Sequence, residues 1–126
     1  MAKPNLLSCL QKRDLLNRSA ASADQLLKWG NLFEEEGLTN DAIDFYAKAH
    51  ALEPLEKLLP LAHQEGDTFV YARIVRALGR EVTAEEWISM GKRAAELGKD
   101  AFAREAFKRG GVDTVQEAET YGGPAT

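Results

Sequence analysis

A single cysteine, Cys9, rules out any disulfide within this chain, so nothing in it demands an oxidising compartment. Only two histidines occur, His50 and His63, and no Cys/His spacing matches a metal site. Glycine-rich phosphate loops, the GxSxG elbow and HExxH are all missing, which leaves no catalytic residue, metal or cofactor to assign. A binding protein, not an enzyme, is the expectation. No apolar run approaches the roughly 20 residues of a membrane span. Leu6-Leu7-Ser8-Cys9 resembles a lipoprotein cleavage site, but the stretch from Met1 to Asn5 is too short for the apolar region of about 7–15 residues that a secretory signal needs. A cytoplasmic protein is expected. The net charge of −4 and pI near 5.2 give no overall attraction to nucleic acid or an anionic membrane.

What is present is a folded composition. With 126 residues, 44% hydrophobic and 29% charged, the chain is long enough for one domain with a modest core. Leu26, Trp29, Gly30 and Phe33 fall at i, i+3, i+4 and i+7, one face of a helix. Ser22 is placed to cap it, and Gly37 to end it. A partner helix is expected over 40–52, burying Ala42, Ile43, Tyr46 and Ala49, with Thr39 or Asn40 as cap and Pro54 preventing continuation. The stretch 55–65 reads as helical around Pro60, which either starts or kinks it. After Gly66, Asp67 caps a helix that buries Val70, Tyr71, Ile74, Val75 and Leu78 and stops at Gly79.

Thr83-Ala84-Glu85-Glu86 is a capping box that opens a helix carrying Trp87, Met90, Gly91 and Ala94 on one face. Gly98 closes it; its partner buries Ala103, Ala106 and Phe107 before Gly110-Gly111. The two halves share a rhythm. From Gly30, an alanine lies at +12 (Ala42) and an aromatic at +16 (Tyr46); from Gly91, the same offsets reach Ala103 and Phe107. Repeated spacing of this kind predicts stacked helical hairpins, each burying its face against a neighbour. The expected fold is all-α. It would comprise an N-terminal helix within 1–22, three hairpins over 23–111 and a C-terminal helix and tail over 112–126. Cys9 is expected to pack within the leucine-rich first helix. Asp113 would cap the last one, with Val115, Ala118 and Tyr121 on one side.

Leu26-x2-Trp29-Gly30-x2-Phe33, Ala42-x3-Tyr46 and Pro54 resemble a tetratricopeptide repeat, with the large ring and the aliphatic exchanged. Trp87-x2-Met90-Gly91-x2-Ala94 and Ala103-x3-Phe107 give a second match, without the closing proline and with Ala94 in place of an aromatic. That substitution makes helix packing there closer or looser than in the family. The middle unit matches through its turn glycine. The resemblance implies a right-handed α-solenoid whose first helices line a concave groove holding a peptide or protein segment. Carried over by position, the groove residues are Asp24, Leu27, Asn31, Glu34 and Glu35, then Glu85, Ile88, Lys92, Ala95 and Glu96. Glu56, His63 and Gln64 are taken from the middle unit. Leu27 and Ile88 would supply apolar contacts, and Asn31 a hydrogen bond to the ligand main chain. One subtype of the family grips chaperone tails with cations. Here Leu27 and Glu85 stand where two of those cations should be, which argues against that ligand.

Two charge patterns remain. Glu34-Glu35-Glu36 with Asp24 and Glu85 could attract a basic segment, but solvation is the plainer explanation of a charge run. Arg73, Arg76 and Arg80 recur at i, i+3 and i+7, with Phe69 one turn upstream. An outward face paired with glutamates is the plainer reading, against a contact for phosphate or an acidic partner. In a net acidic domain this makes a weak nucleic-acid signal. The rival expectation is a homo-oligomer or accessory subunit, joined through Leu6 and Leu10 or Tyr121.

Overall fold

A computed structural model of the chain describes residues 7–17 and 22–112. Among these the structure is all-helical, with seven helices and no strand. They are α1 (Cys9–Asn17), α2 (Ala23–Glu35), α3 (Thr39–Lys48), α4 (Leu52–Gln64), α5 (Thr68–Leu78), α6 (Ala84–Glu96) and α7 (Asp100–Arg109). None of them is long and apolar enough to cross a membrane. Two compact units are divided between Glu56 and Lys57, inside α4. Asp113, Val115, Ala118 and Tyr121 lie outside the described residues, as does Leu6.

Helix ends set the pattern. Each of α2 to α7 closes with a backbone N–H reaching back across the last turn, the bond that defines a Schellman end. The pairs are Leu38 to Phe33, Ala51 to Tyr46, Asp67 to Ala62, Arg80 to Val75, Lys99 to Ala94 and Val112 to Phe107, all 2.9–3.1 Å. Such an end needs one residue at positive φ, and five of the six positions hold glycine: Gly37, Gly66, Gly79, Gly98 and Gly111. Three of these turns go further. At Leu38, Asp67 and Lys99 the residue that donates the closing bond is also the N-cap of the next helix, with φ between −94° and −92°. Glu36-Gly37-Leu38, Glu65-Gly66-Asp67 and Leu97-Gly98-Lys99 are therefore the same three-residue link, used three times. Leu38, and not Thr39 or Asn40, caps α3, with no side-chain bond.

The sixth end has no glycine. His50 takes φ +52° there, so α3 stops at Lys48, before the expected limit. Pro54 does not break that helix; it sits in the first turn of α4, where a missing N–H is harmless. Further on, α4 runs through Pro60. The left-handed conformation costs a non-glycine residue about 1–2 kcal/mol, part of which glycine's greater unfolded freedom offsets. His50→Gly is expected to stabilise the first unit by about 0.5 kcal/mol, read from urea unfolding.

In the first unit, Leu26, Phe33, Ala42, Ile43, Phe45 and Tyr46 form the core. Phe45, missed by the periodicity, is fully buried and stacks on Phe33 with ring centres 5.4 Å apart. Trp29 and Ala49 are only half-buried. Helix α1 lies against α3, its start fixed by a reciprocal capping box. Ser8 N–H donates to Gln11 Oε1, and Gln11 N–H to Ser8 Oγ, at 3.0 and 3.2 Å. Leu15 is buried, but Cys9 and Leu10 are exposed, so the expected packing of Cys9 is not found.

The anchor of α1 is instead Lys12, whose Nζ lies 2.6 Å from both Asp41 Oδ1 and Asp44 Oδ2. Burial opposes its charge, but the two carboxylates outweigh that and raise its pKa above 10.5. A raised folded pKa means the stabilisation is complete below about pH 10.5 and is lost as pH climbs through the folded value. Lys12→Met is expected to cost about 1 kcal/mol at neutral pH. The gap between the two proteins should narrow as pH rises above 10.5 and through the folded pKa of Lys12, which helicity by circular dichroism checks.

In the second unit the core includes Val70, Tyr71, Ile74, Val75, Trp87, Met90, Ala94, Ala103, Ala106 and Phe107; Leu78 is half-buried. Asp67 and Thr83 cap α5 and α6, accepting from Val70 N–H and Glu86 N–H at 3.1 Å. Thr68 is the buried polar residue here, its hydroxyl donating to Phe102 C=O at 2.7 Å and tying α5 to α7.

Candidate functional site

Gly30 and Gly91 hold equivalent positions in their own hairpins. A Cβ on Gly30 would lie 2.6 Å from Tyr46 Cε1, and one on Gly91 2.5 Å from Phe107 Cδ1. In each unit, then, the aromatic sixteen residues on lays its ring against the bare α-carbon. The +16 spacing in the sequence is this contact.

The outward face of α2 is built over that seat. The Tyr46 side chain is fully buried, and its hydroxyl lies 2.6 Å from Glu34 Oε1 and 2.8 Å from Asn31 Oδ1, two residues exposed on α2. A hydroxyl has one proton. That proton is donated to the Glu34 carboxylate, the shorter and charged contact, and the Asn31 amide oxygen lies beside the same hydroxyl as its second possible acceptor. Burial first, and then the Glu34 carboxylate, push the Tyr46 pKa far above 10. Asn31 and Glu34 are therefore committed to Tyr46, and the expected Asn31 bond to a ligand main chain would have to compete with it. Tyr46→Phe, which gives this hairpin the residue its counterpart uses, is expected to cost about 1 kcal/mol in urea unfolding. Asp24 and Glu35 are exposed on the same helix, and Leu27 is half-buried.

The predicted residues of α4 and α6 are placed differently. Ile88 is 3% exposed and packs with Ala94, Ala103, Phe107 and Val112. It is a core residue, and the expected ligand contact there is corrected. A hydrophobic side chain one position past Trp87 turns inward because α7 covers that side of α6. Glu85 and Lys92 are exposed, while Ala95 is partly buried against the same core. Glu96 pairs with Arg93 at 3.2 Å, and Arg93 Nε donates to Gln64 C=O at 2.8 Å. His63 Nε2 lies 3.1 Å from Ser89 Oγ, and its ring meets Tyr71 edge-on at 6.2 Å. Glu56 is exposed on α4. Asp24, Leu27, Asn31, Glu34, Glu35 and Glu56 belong to the first unit, and His63, Glu85, Lys92 and Glu96 to the second.

A second feature gathers residues that the sequence left scattered. A cleft of about 490 Å³ in the second unit takes Arg73 and Arg76 from α5, Arg80 from just past its C-terminal glycine, and Arg109 from α7. Phe69, Val75, Val82 and Trp87 are among its apolar walls. The Arg109 guanidinium lies 5.2 Å over the Trp87 ring while its Nε donates to Glu105 at 2.7 Å. That bond is the main reason the Glu105 carboxyl sits below its ordinary pKa. Arg109 and Trp87 could not be joined to the arginine stripe from the sequence, because no local spacing connects them to α5. Phe69, the aromatic flagged upstream of the stripe, is 46% exposed and meets Phe102 edge-on at 5.6 Å.

Among the described residues no group of three His, Cys, Asp or Glu side chains could hold a metal ion. Compared with protein-family models, curated proteins and solved structures, the chain matches none.

Proposed function

We propose that this chain is a tetratricopeptide-like interaction module that performs no chemistry. Its hairpins would be the units of a short right-handed α-solenoid that holds a peptide or protein segment of a partner. One observation carries the reading: the Gly30–Tyr46 and Gly91–Phe107 seats are the same contact in two units. The three identical glycine links support it. A fold that repeats one packing solution presents repeated faces, and repeated faces suit extended ligands. With Ile88 in the core, Leu27 is the remaining apolar contact, and Asp24, Glu35, Glu85 and Lys92 are the exposed selectors. A cytoplasmic setting suits the exposed free thiol of Cys9.

The test begins with affinity capture from the source cell, followed by calorimetric titration of the captured segment. Wild type should bind it at least tenfold more tightly than a Leu27→Asp, Lys92→Glu variant of unchanged helicity. Equal affinities would refute these faces. Leu10, 63% exposed next to the exposed Cys9, favours a second reading as a homo-oligomer. Light scattering decides it, since a monomer at high micromolar concentration excludes that joint.

A further inference from the structure

We infer that the arginine cleft of the second unit is a binding site for a short acidic segment of a partner protein, with one bulky apolar side chain among its carboxylates. Four arginines line one cavity, and among the described residues no aspartate or glutamate lines it. Arginine forks pair with carboxylates in a planar, two-bonded fashion, so Arg76 and Arg109 can each take one such group. Arg73 and Arg80 hold other interactions within the chain and contribute their field. The walls explain the apolar side chain: Phe69, 46% exposed, and Val82 offer apolar surface beside the arginines that a leucine or phenylalanine can cover.

Charge decides between ligands. The whole chain carries −4, so this concentration of cations is local and opposite in sign to the rest. A short segment can place its carboxylates within about 490 Å³ beside four arginines, whereas a long polyanion such as nucleic acid gains from a continuous basic track. Glu105 already engages Arg109 from its own helix one turn away, through one Nε–Oε2 bond of 2.7 Å.

The site uses none of the groove residues named on α2 and α6, and the two ideas fail separately. The probe is a short fluorescein-labelled peptide of alternating glutamate and leucine, titrated by polarisation at low salt. Saturable binding is expected, at least tenfold weaker for Arg76→Glu and about fivefold weaker for Phe69→Ala. Lys28→Glu, an equal change of charge at an exposed position of the first unit, should alter it less than twofold, as should Leu27→Asp. Several outcomes would overturn the site. They are absence of saturation, equal losses for Arg76→Glu and Lys28→Glu, or tighter binding of a single-stranded oligonucleotide of equal charge. Tighter binding of a peptide covering residues 113–126, which would make the ligand the chain's own segment, would overturn it too.

Discussion

Gly91→Ala should destabilise the second unit by about 2 kcal/mol, even though alanine is the better helix former by about 1 kcal/mol. The added methyl carbon would sit 2.5 Å from Phe107 Cδ1 and Cε1. Phe107 is 2% exposed and packed by Ile88, Ala94, Ala103 and Val112, so its ring has nowhere to retreat. Overpacking of this kind typically costs about 1–3 kcal/mol. Trimming the ring should restore part of the loss. In a double-mutant cycle, Phe107→Leu should cost less in the Gly91→Ala background than alone, with a coupling of about 1 kcal/mol. Gly30→Ala should behave in the same way in the first unit, where Tyr46 is further tethered through its hydroxyl. A stabilising Gly91→Ala in urea unfolding would mean that the seat is not the packing rule of these hairpins.

Ala94→Phe should be worse, at about 3 kcal/mol or more, although it restores the aromatic that the tetratricopeptide pattern places there. Ala94 is fully buried, and the turn between α4 and α5 rests on it. A Cβ on Gly66 would lie 3.0 Å from the Ala94 α-carbon, so two small residues let two backbones approach. Of the two alternatives the sequence left for this position, the closer packing is the one found. A ring at position 94 would have to displace the turn, and loss of the cooperative unfolding transition by circular dichroism is the expected reading. Tolerance of phenylalanine there would show that the turn can lift away.

These contrasts explain what was legible in the residues alone. Helix starts at Ser22, Asp67 and Thr83, and stops at Gly37, Gly66, Gly98 and Gly111, are local chemistry, and local chemistry is written in order along a chain. The Gly-to-aromatic interval was legible because both partners belong to one hairpin. His50 was not, since a histidine at positive φ carries no mark that distinguishes it from any other. Phe45 and Ile88 were misplaced for a related reason. A face counted on one helix does not say how widely its neighbours cover it, and here Phe33 and α7 cover more than the periodicity implied. The arginine cleft depends on α7 lying beside α5, a tertiary fact; three of its cations were visible in sequence, and the one that completes it was not.

Trp29 lies in the first unit and Trp87 in the second, each beside different chemistry. Trp29 adjoins Gln11, Asp14 and Leu15 of α1, and Trp87 lies under the Arg109 guanidinium. The chain thus carries its own pair of optical probes. Replacing either indole with phenylalanine leaves emission from one half alone, so departure of the N-terminal helix and occupation of the cationic cavity become separate spectroscopic signals.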